Sequence, residues 1–204
     1  MTKLLIATTN AGKVREIGLL LEGLPYEVVG LQDLPNAPPP VDETGTTFTA
    51  NAILKSEYYF AHTGLLSLAD DSGLEVDALG GAPGIYSARF AGEDATDADR
   101  VVKLLSLLQT VPDEKRTARF VCSIAVTGQI NGDQKTRVFA GYADGLIARE
   151  PRGTKGFGYD PVFFDPELGR TFAELRRAEK SARSHRGKAL AAAKSWLESL
   201  RENP

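Results

Sequence analysis

The first twenty residues constrain the fold more than any other stretch of the chain. Lys3 to Thr8 (KLLIAT) is apolar with no alternation, the polar turn Thr9-Asn10-Ala11-Gly12 follows, and from Lys13 to Leu21 apolar side chains return at helical spacing at Val14, Ile17 and Leu21. A strand that is wet on one face alternates with period two. A short run that is apolar on both faces suits a strand covered above and below. Such a strand, turn and helix at the start of a chain predicts an α/β fold.

The rest of the sequence continues the pattern. Tyr26 to Gly30 reads as a second strand, and Leu34 to Asp42, with four prolines, as a loop. Thr47 to His62 predicts a helix closed by Gly64. Leu65 to Ala69 predicts a third strand that ends at the turn Asp70-Asp71-Ser72-Gly73, with the glycine-rich loop Gly80-Gly81-Ala82-Pro83-Gly84 beyond it. Thr96 or Asp97 caps a helix through Leu108, and the runs Thr117 to Thr127 and Lys135 to Ala143 flank Asn131-Gly132, which signals an antiparallel hairpin. A second Gly/Pro-rich stretch spans Arg149 to Asp160. The last helix is expected from near Ser184 to Leu200, with Leu190, Ala193, Leu197 and Leu200 on its buried stripe. There is no internal repeat and no separating linker. Residues 1–204 therefore read as one domain, a mixed central sheet with flanking helices folded as two lobes around a central cleft.

Composition narrows the function classes. At 204 residues, 42% hydrophobic and 25% charged, the chain can bury a sizeable core, which excludes disorder as its dominant state. No apolar run approaches the roughly 20 residues needed to span a bilayer. The N-terminal apolar stretch is too short for a signal-peptide core, so a soluble cytoplasmic protein without membrane contact is expected. The single Cys122 leaves no disulfide scaffold. The net charge of −3 hides an asymmetry: residues 1–100 carry 15 acidic and 6 basic side chains, and residues 101–204 carry 12 and 18. One reading is a solvated basic helix face. The other is an acidic wall for a metal opposite a basic wall for phosphates. Broad nucleic-acid binding fits less well, because basic patches interleaved with aromatics are missing and no stable nucleic-acid complex is expected.

Five stretches could carry chemistry. Thr8, Thr9, Asn10, Ala11, Gly12 and Lys13 lie between a strand and a helix, where backbone N–H groups and a lysine make an anion site; an ordinary capped turn has the same look. Asp70-Asp71-Ser72-Gly73 puts carboxylates at a predicted strand end, suited to holding Mg²⁺ or acting as general base, or simply to forming a turn. In Glu43-Thr44-Gly45-x-x-Phe48-x-x-Asn51-x-x-x-Lys55, Asn51 and Lys55 share one helix face and could reach an anionic ligand together, or be merely solvated. Gly156-Phe157-Gly158-Tyr159-Asp160-Pro161 places two aromatics among glycines, a stacking platform or a loop anchor. Lys180-Ser181-x-x-Ser184-His185-Arg186 brings a fork of donors to a helix start. His62 reads as a surface residue at a helix end. No zinc-ligand spacing and no nucleophile elbow is present.

Taken in order, A-T-T-N-A-G-K, E-T-G-x-x-F-x-x-N-A-x-x-K, A-D-D-S-G-L, G-G-A-P-G-I-Y-S-A-R, G-F-G-Y-D-P-V-F and E-K-S-x-x-S-H-R resemble the inosine triphosphate pyrophosphatase family, whose bacterial members are dITP/XTP pyrophosphatases. The motifs run from Thr8 to Arg186. The resemblance implies an elongated α/β fold with a central cleft and a homodimer. It implies Mg²⁺-dependent hydrolysis of ITP, dITP or XTP to the monophosphate and pyrophosphate, cleansing the nucleotide pool. By the same resemblance, Thr8 to Lys13 match the triphosphate loop, Asp71 the catalytic carboxylate and metal ligand, and Ser72 a substrate contact. Phe157, Gly158, Tyr159, Asp160, Lys180, His185 and Arg186 match the base-recognition set. Position 9, often glycine in the family, is Thr9 here. Glu43, Lys55 and Asp70 match positions that serve as second metal ligand, phosphate contact and supporting carboxylate. A related pyrophosphatase of the Maf type, and a non-catalytic nucleotide sensor or nucleic-acid module, are the alternative readings. The S-H-R and F-G-Y-D-P stretches argue against the first, and the acidic turn against the second.

Overall fold

The computed structural model describes residues 2–202. Strand β1 (Lys3–Ile6) leads through a short loop into α1 (Ala11–Leu20), followed by β2 (Glu27–Gly30), α2 (Phe48–Thr63) and β3 (Leu66–Val76). Then come α3 (Asp97–Leu107), β4 (Thr117–Ile130), β5 (Asp133–Ile147), β6 (Phe163–Asp165) and β7 (Arg170–Thr171), and last α4 (Arg177–Arg183) and α5 (His185–Glu202). The seven strands hydrogen-bond in the order β2-β1-β3-β4-β5-β6-β7. β1 is parallel to β2 and to β3, pairing Leu4 with Leu66 and Ile6 with Leu68, whereas β6 is antiparallel to β5 and β7. This is the mixed sheet that the sequence predicts. Among the described residues no helix is long and apolar enough to cross a membrane.

Local chemistry accounts for most boundaries. Asn10 caps α1 by accepting the Lys13 N–H at 3.0 Å, so the helix starts two residues before the predicted Lys13. Thr47 caps α2, which ends on Gly64 in the left-handed conformation (φ +66°) that glycine adopts freely. Asn131 (φ +54°) and Gly132 (φ +84°) form the two-residue turn that joins β4 to β5.

The chain divides into two compact units, with the divisions inside β3, β4 and β5. The first comprises the residues up to Asp71, Cys122–Gly141, and those from Arg186 onward. Here β1 is covered on both faces, as its unbroken apolar run predicts. Leu4 and Ile6 pack with Ile17 of α1, with Leu21 at its C-terminal cap and with Leu190, Ala193 and Leu197 of α5, while Leu5 and Ala7 pack with Val29 of β2, with Leu31 and with Tyr59 of α2. β3 follows the same period: Leu68 belongs to the α1/α5 side and Ala69 to the α2 side. The second unit, Ser72–Val121 and Tyr142–His185, has its own core of Leu74, Val101, Leu104, Phe120, Ile147, Phe163 and Phe172. Phe120 and Phe163 have ring centroids 4.4 Å apart, and Phe163 and Phe172 4.7 Å, contacts worth about 0.5–1.5 kcal/mol each beyond simple burial.

One expectation is corrected and one refined. β3 does not end at Asp70-Asp71-Ser72-Gly73; it runs through them to Val76. Asp, Ser and Gly are poor strand formers, but β3 lies between β1 and β4, so sheet pairing overrides local propensity. Lys180 precedes the helix α5, as expected, but it lies in a short helix of its own, α4, which the sequence pattern does not show.

Candidate active site

Because β3 continues through the acidic pair, its period of two sends the carboxylates to opposite faces. Asp70 takes the parity of Leu68 and faces α1 and α5; Asp71 takes the parity of Ala69 and faces α2. Both lie beyond Leu68, the last residue of β3 paired with β1, where the chain leaves β1 through Ala7 to Asn10.

On the first face Asp70 is fully buried. It forms an ion pair with Lys13, accepts from Arg186 Nε at 3.2 Å, and accepts from the Cys122 thiol at 3.0 Å. Arg186 also donates through Nη1 to Glu16 at 2.6 Å. Burial alone would raise the Asp70 pKa, but Lys13, Arg186 and the side-chain hydrogen bonds outweigh it and hold the carboxyl well below its ordinary 3.8. Burial and the Asp70 charge push the Cys122 thiol well up, so it is protonated and donates. For Arg186 burial disfavours the charge, and Asp70 and Glu16 more than offset it. Two carboxylates meet two cations here.

On the second face Asp71 accepts from Asn51 Nδ2 at 3.2 Å and from Lys55 Nζ at 3.3 Å, and Lys55 also donates to Glu43 at 2.8 Å. Asn51 and Lys55 lie one turn apart on α2, as their spacing predicts. Asn51 Oδ1 takes the Gly45 N–H at 2.8 Å, which ties the segment carrying Glu43 to α2. A Cβ on Gly45 would lie 2.5 Å from that oxygen, so only glycine allows the approach. Burial raises the Asp71 pKa above its ordinary 3.8, Glu43 and Asp70 add to the rise, and Lys55 and Lys13 oppose it. Lys55 is shifted up as well, because Asp71 and Glu43 outweigh its burial. Two carboxylates here share one ammonium, leaving an excess negative charge that a bound cation would offset. Among the described residues no group of three or more His, Cys, Asp or Glu side chains is arranged to hold a metal.

The acidic and basic walls suggested by the charge asymmetry are not how these side chains are arranged. The signs interleave, since charges this deeply buried require a counterion in contact. Thr8, Thr9, Asn10, Ala11 and Gly12 form the partly exposed start of α1, with Thr8 Oγ1 accepting from the Asn10 N–H at 3.2 Å.

The second unit holds the aromatic loop. Asp160 is buried and accepts from the Phe157 N–H at 2.9 Å and from Lys180 Nζ at 2.6 Å, and the Lys180 ammonium lies 5.2 Å from the Phe157 ring centroid. Gly156 (φ +78°) abuts the Asp160 carboxylate so closely that no Cβ fits. The Tyr159 hydroxyl donates to the Ser87 carbonyl at 2.9 Å. Ser72 is half-buried on β3, and His185 is buried and stacked on Phe120, ring centroids 4.6 Å apart. Phe157, Gly158, Tyr159, Asp160 and Lys180 are thus brought together. Lys13 joins Arg186 on one face of β3, and Glu43, Lys55 and Asp71 meet on the other. Sequence reasoning missed Glu16, Cys122, Asp97 and Arg100. Glu16, one helical turn beyond Lys13, had the clearest available signal.

A profile of the Ham1 family matches residues 4–196. The chain belongs to the Ham1 family. It is 53% identical over 201 residues to the dITP/XTP pyrophosphatase of Shigella flexneri, covering 98% of this chain and 99% of that one. It is 54% identical over 190 residues to the dITP/XTP pyrophosphatase of Geobacillus kaustophilus, covering 93% and 91%. The solved structure of a HAM1 protein from Coxiella burnetii superimposes with a TM-score of 0.87 at 43% identity, covering 98% of this chain and all of the other. Every site residue named above, from Thr8 to Arg186, lies inside the Ham1 match. The family likeness therefore bears on both units.

Proposed function

We propose that this Ham1-family chain hydrolyses the non-canonical purine nucleoside triphosphates ITP, dITP and XTP to the monophosphate and pyrophosphate. The observation that carries the reading is the Asp71–Lys55–Glu43 group: two carboxylates, one from β3 and one from the segment before α2, with the Lys55 ammonium of α2 between them. The near full-length likeness to proteins named dITP/XTP pyrophosphatase supports the same reading.

In this mechanism a water oxygen attacks the α-phosphorus, its proton passes to the Asp71 carboxylate, and the bond from the α-phosphorus to the bridging oxygen breaks as pyrophosphate leaves. The Asp71 carboxylate, held by Asn51 and Lys55, is the group assigned to take that proton. Lys13 and the N–H groups at the start of α1 receive the charge that develops on the leaving group. Lys55 bears on Asp71, Ser72 makes a substrate contact, and Thr8 to Gly12 line the triphosphate.

Asp71 and Glu43 fit a divalent cation, with Mg²⁺ the proposed one, because two carboxylates completed by water and phosphate oxygens is the donor set that such a hard ion takes. When bound, it supplies charge neutralisation and acidifies water. Phe157 is assigned the stacking surface, with Gly158, Tyr159, Asp160 and Lys180 shaping it. Hypoxanthine and xanthine present an acceptor at C6 where adenine presents an amino group. His185 and Arg186 carry the matching donors, and an unmet buried polar group costs about 1–3 kcal/mol. The same reading takes the working form as a homodimer.

The test incubates the chain with ITP, GTP, ATP and TTP in Mg²⁺ and measures pyrophosphate and orthophosphate separately, on a sample sized by light scattering. Pyrophosphate from ITP with little from ATP is expected, at a mass of two chains. Orthophosphate as first product would move cleavage to the γ-phosphate and overturn the mechanism. No turnover would hand the site to nucleotide sensing.

A further inference from the structure

The aromatic loop has an anchor that the proposed function leaves unused. The Gly158 N–H donates to Asp97 Oδ2 at 2.6 Å, across 61 residues of chain, and the other Asp97 oxygen forms an ion pair with Arg100. Arg100 in turn donates to the carbonyls of Ala88 at 2.8 Å and Ala95 at 2.6 Å. The Tyr159 hydroxyl reaches the neighbouring Ser87 carbonyl, and Ser87 Oγ accepts from the Leu74 N–H at 2.8 Å. Burial keeps the Tyr159 phenol protonated, as a donor must be. The two residues that follow Phe157 are thus pinned, one by a carboxylate from the first turn of α3 and one by the Ser87 carbonyl, next to the Ala88 carbonyl that Arg100 holds.

We propose that Asp97 is a positioning residue for base recognition: with Arg100 behind it, it fixes Gly158 and so holds the Phe157 ring in the stacking pose. This rests on the assignment of the aromatic loop to the purine base.

Asp97 is not needed to start its helix. Thr96 Oγ1 accepts from the Asp99 N–H at 3.2 Å and Asp99 accepts from the Thr96 N–H at 2.9 Å, a complete capping box without Asp97. The Asp97 side chain is 45% exposed, so its ion pair adds little to global stability. A carboxylate that the helix does not need, spent on the backbone of a distant loop, has that loop as its main effect. Glycine at 158 is required by its own backbone (φ +64°), which leaves the loop without a side chain there to hold it.

The test compares Asp97→Ala and Asp97→Asn with the unaltered chain. Losing one charge-assisted hydrogen bond in Asp97→Ala is expected to raise KM for ITP about tenfold, with kcat within about threefold. The inhibition constant of tripolyphosphate, which has no base to stack, should not move. Asp97→Asn keeps an acceptor for Gly158 and should recover most of the KM. Hydrogen exchange over residues 156–162, measured without nucleotide, should be faster in Asp97→Ala than in the unaltered chain. Unchanged exchange there overturns the anchor even in a chain that hydrolyses nothing. An equal rise in the tripolyphosphate constant, or a loss confined to kcat, overturns the assignment to base recognition. Failure of the unaltered chain to release pyrophosphate from ITP strikes instead at the proposed function, and the exchange measurement still decides the anchor.

Discussion

Asp70 meets Lys13, Arg186 and the Cys122 thiol on the α1/α5 side of β3, whereas Asp71, the next residue, meets Lys55 and Asn51 on the α2 side. Both are buried, yet their titrations move in opposite directions: Asp70 is held well below the ordinary value and Asp71 is raised above it. Burial acts the same way on each, so the difference lies in the partners. Asp70 and Glu16 are matched by two cations, while Asp71 and Glu43 share the single Lys55 ammonium. A matched carboxylate stays ionised and holds its neighbours in place. An under-matched one is poised to take a proton or a cation. Adjacent residues of one strand thus do separate work because the strand does not turn between them.

The largest effect should come from breaking the under-matched side. Asp71→Asn keeps the shape and the Asn51 contact but removes the basic oxygen, so kcat on ITP should fall about 10²–10⁴-fold, the range for losing a positioned general base. Thermal unfolding should report an intact fold. More than a tenth of the original turnover would remove Asp71 from proton transfer.

Breaking the matched side should act on stability. Asp70→Asn leaves the guanidinium of Arg186 and the Lys13 ammonium short of a buried counterion, a loss of about 3–5 kcal/mol when one member of a buried pair is removed. Urea unfolding at neutral pH would measure it. Because the folded pKa of Asp70 is lowered, its contribution is full above the ordinary 3.8 and is lost as pH falls through the lowered value. The gap between the unaltered chain and Asp70→Asn should therefore close in acid. Asp71 has the opposite sign. Its raised pKa contributes stability below 3.8 that is lost as pH rises through the folded value, so the unaltered chain should lose ground to Asp71→Asn over that range. Two curves with the same sign would mean that the carboxylates are not separated as described.

How much of this could be read from the sequence follows from what each signal depends on. Asn10, Thr47, Thr96, Gly64 and Asn131-Gly132 act through their own backbone and nearest neighbours, so the element ends they bound are legible within three residues. Lys13, Asp71 and Asp160 were legible as parts of motifs. Asp70-Asp71-Ser72-Gly73 misled because Asp, Ser and Gly prefer turns, and only the strands on either side of β3 override that preference. The roles of Glu16, Cys122 and Asp97 depend on partners 170, 52 and 61 residues away. No local pattern encodes such pairs. Cys122 in particular read only as one more apolar residue of β4.

That cysteine gives the smallest test of the matched side. Cys122→Ala removes a weak donor to Asp70 and the volume of one sulfur, and the expected loss is about 1 kcal/mol at neutral pH. The two contributions separate on acidification. The hydrogen bond matters because its acceptor is ionised, so its share should fade as Asp70 takes a proton, while the lost volume costs the same at every pH. Stability curves for Cys122→Ala and the unaltered chain should therefore converge in acid without meeting. A constant separation would make the thiol a filler of space and leave Lys13 and Arg186 as the groups that keep Asp70 ionised.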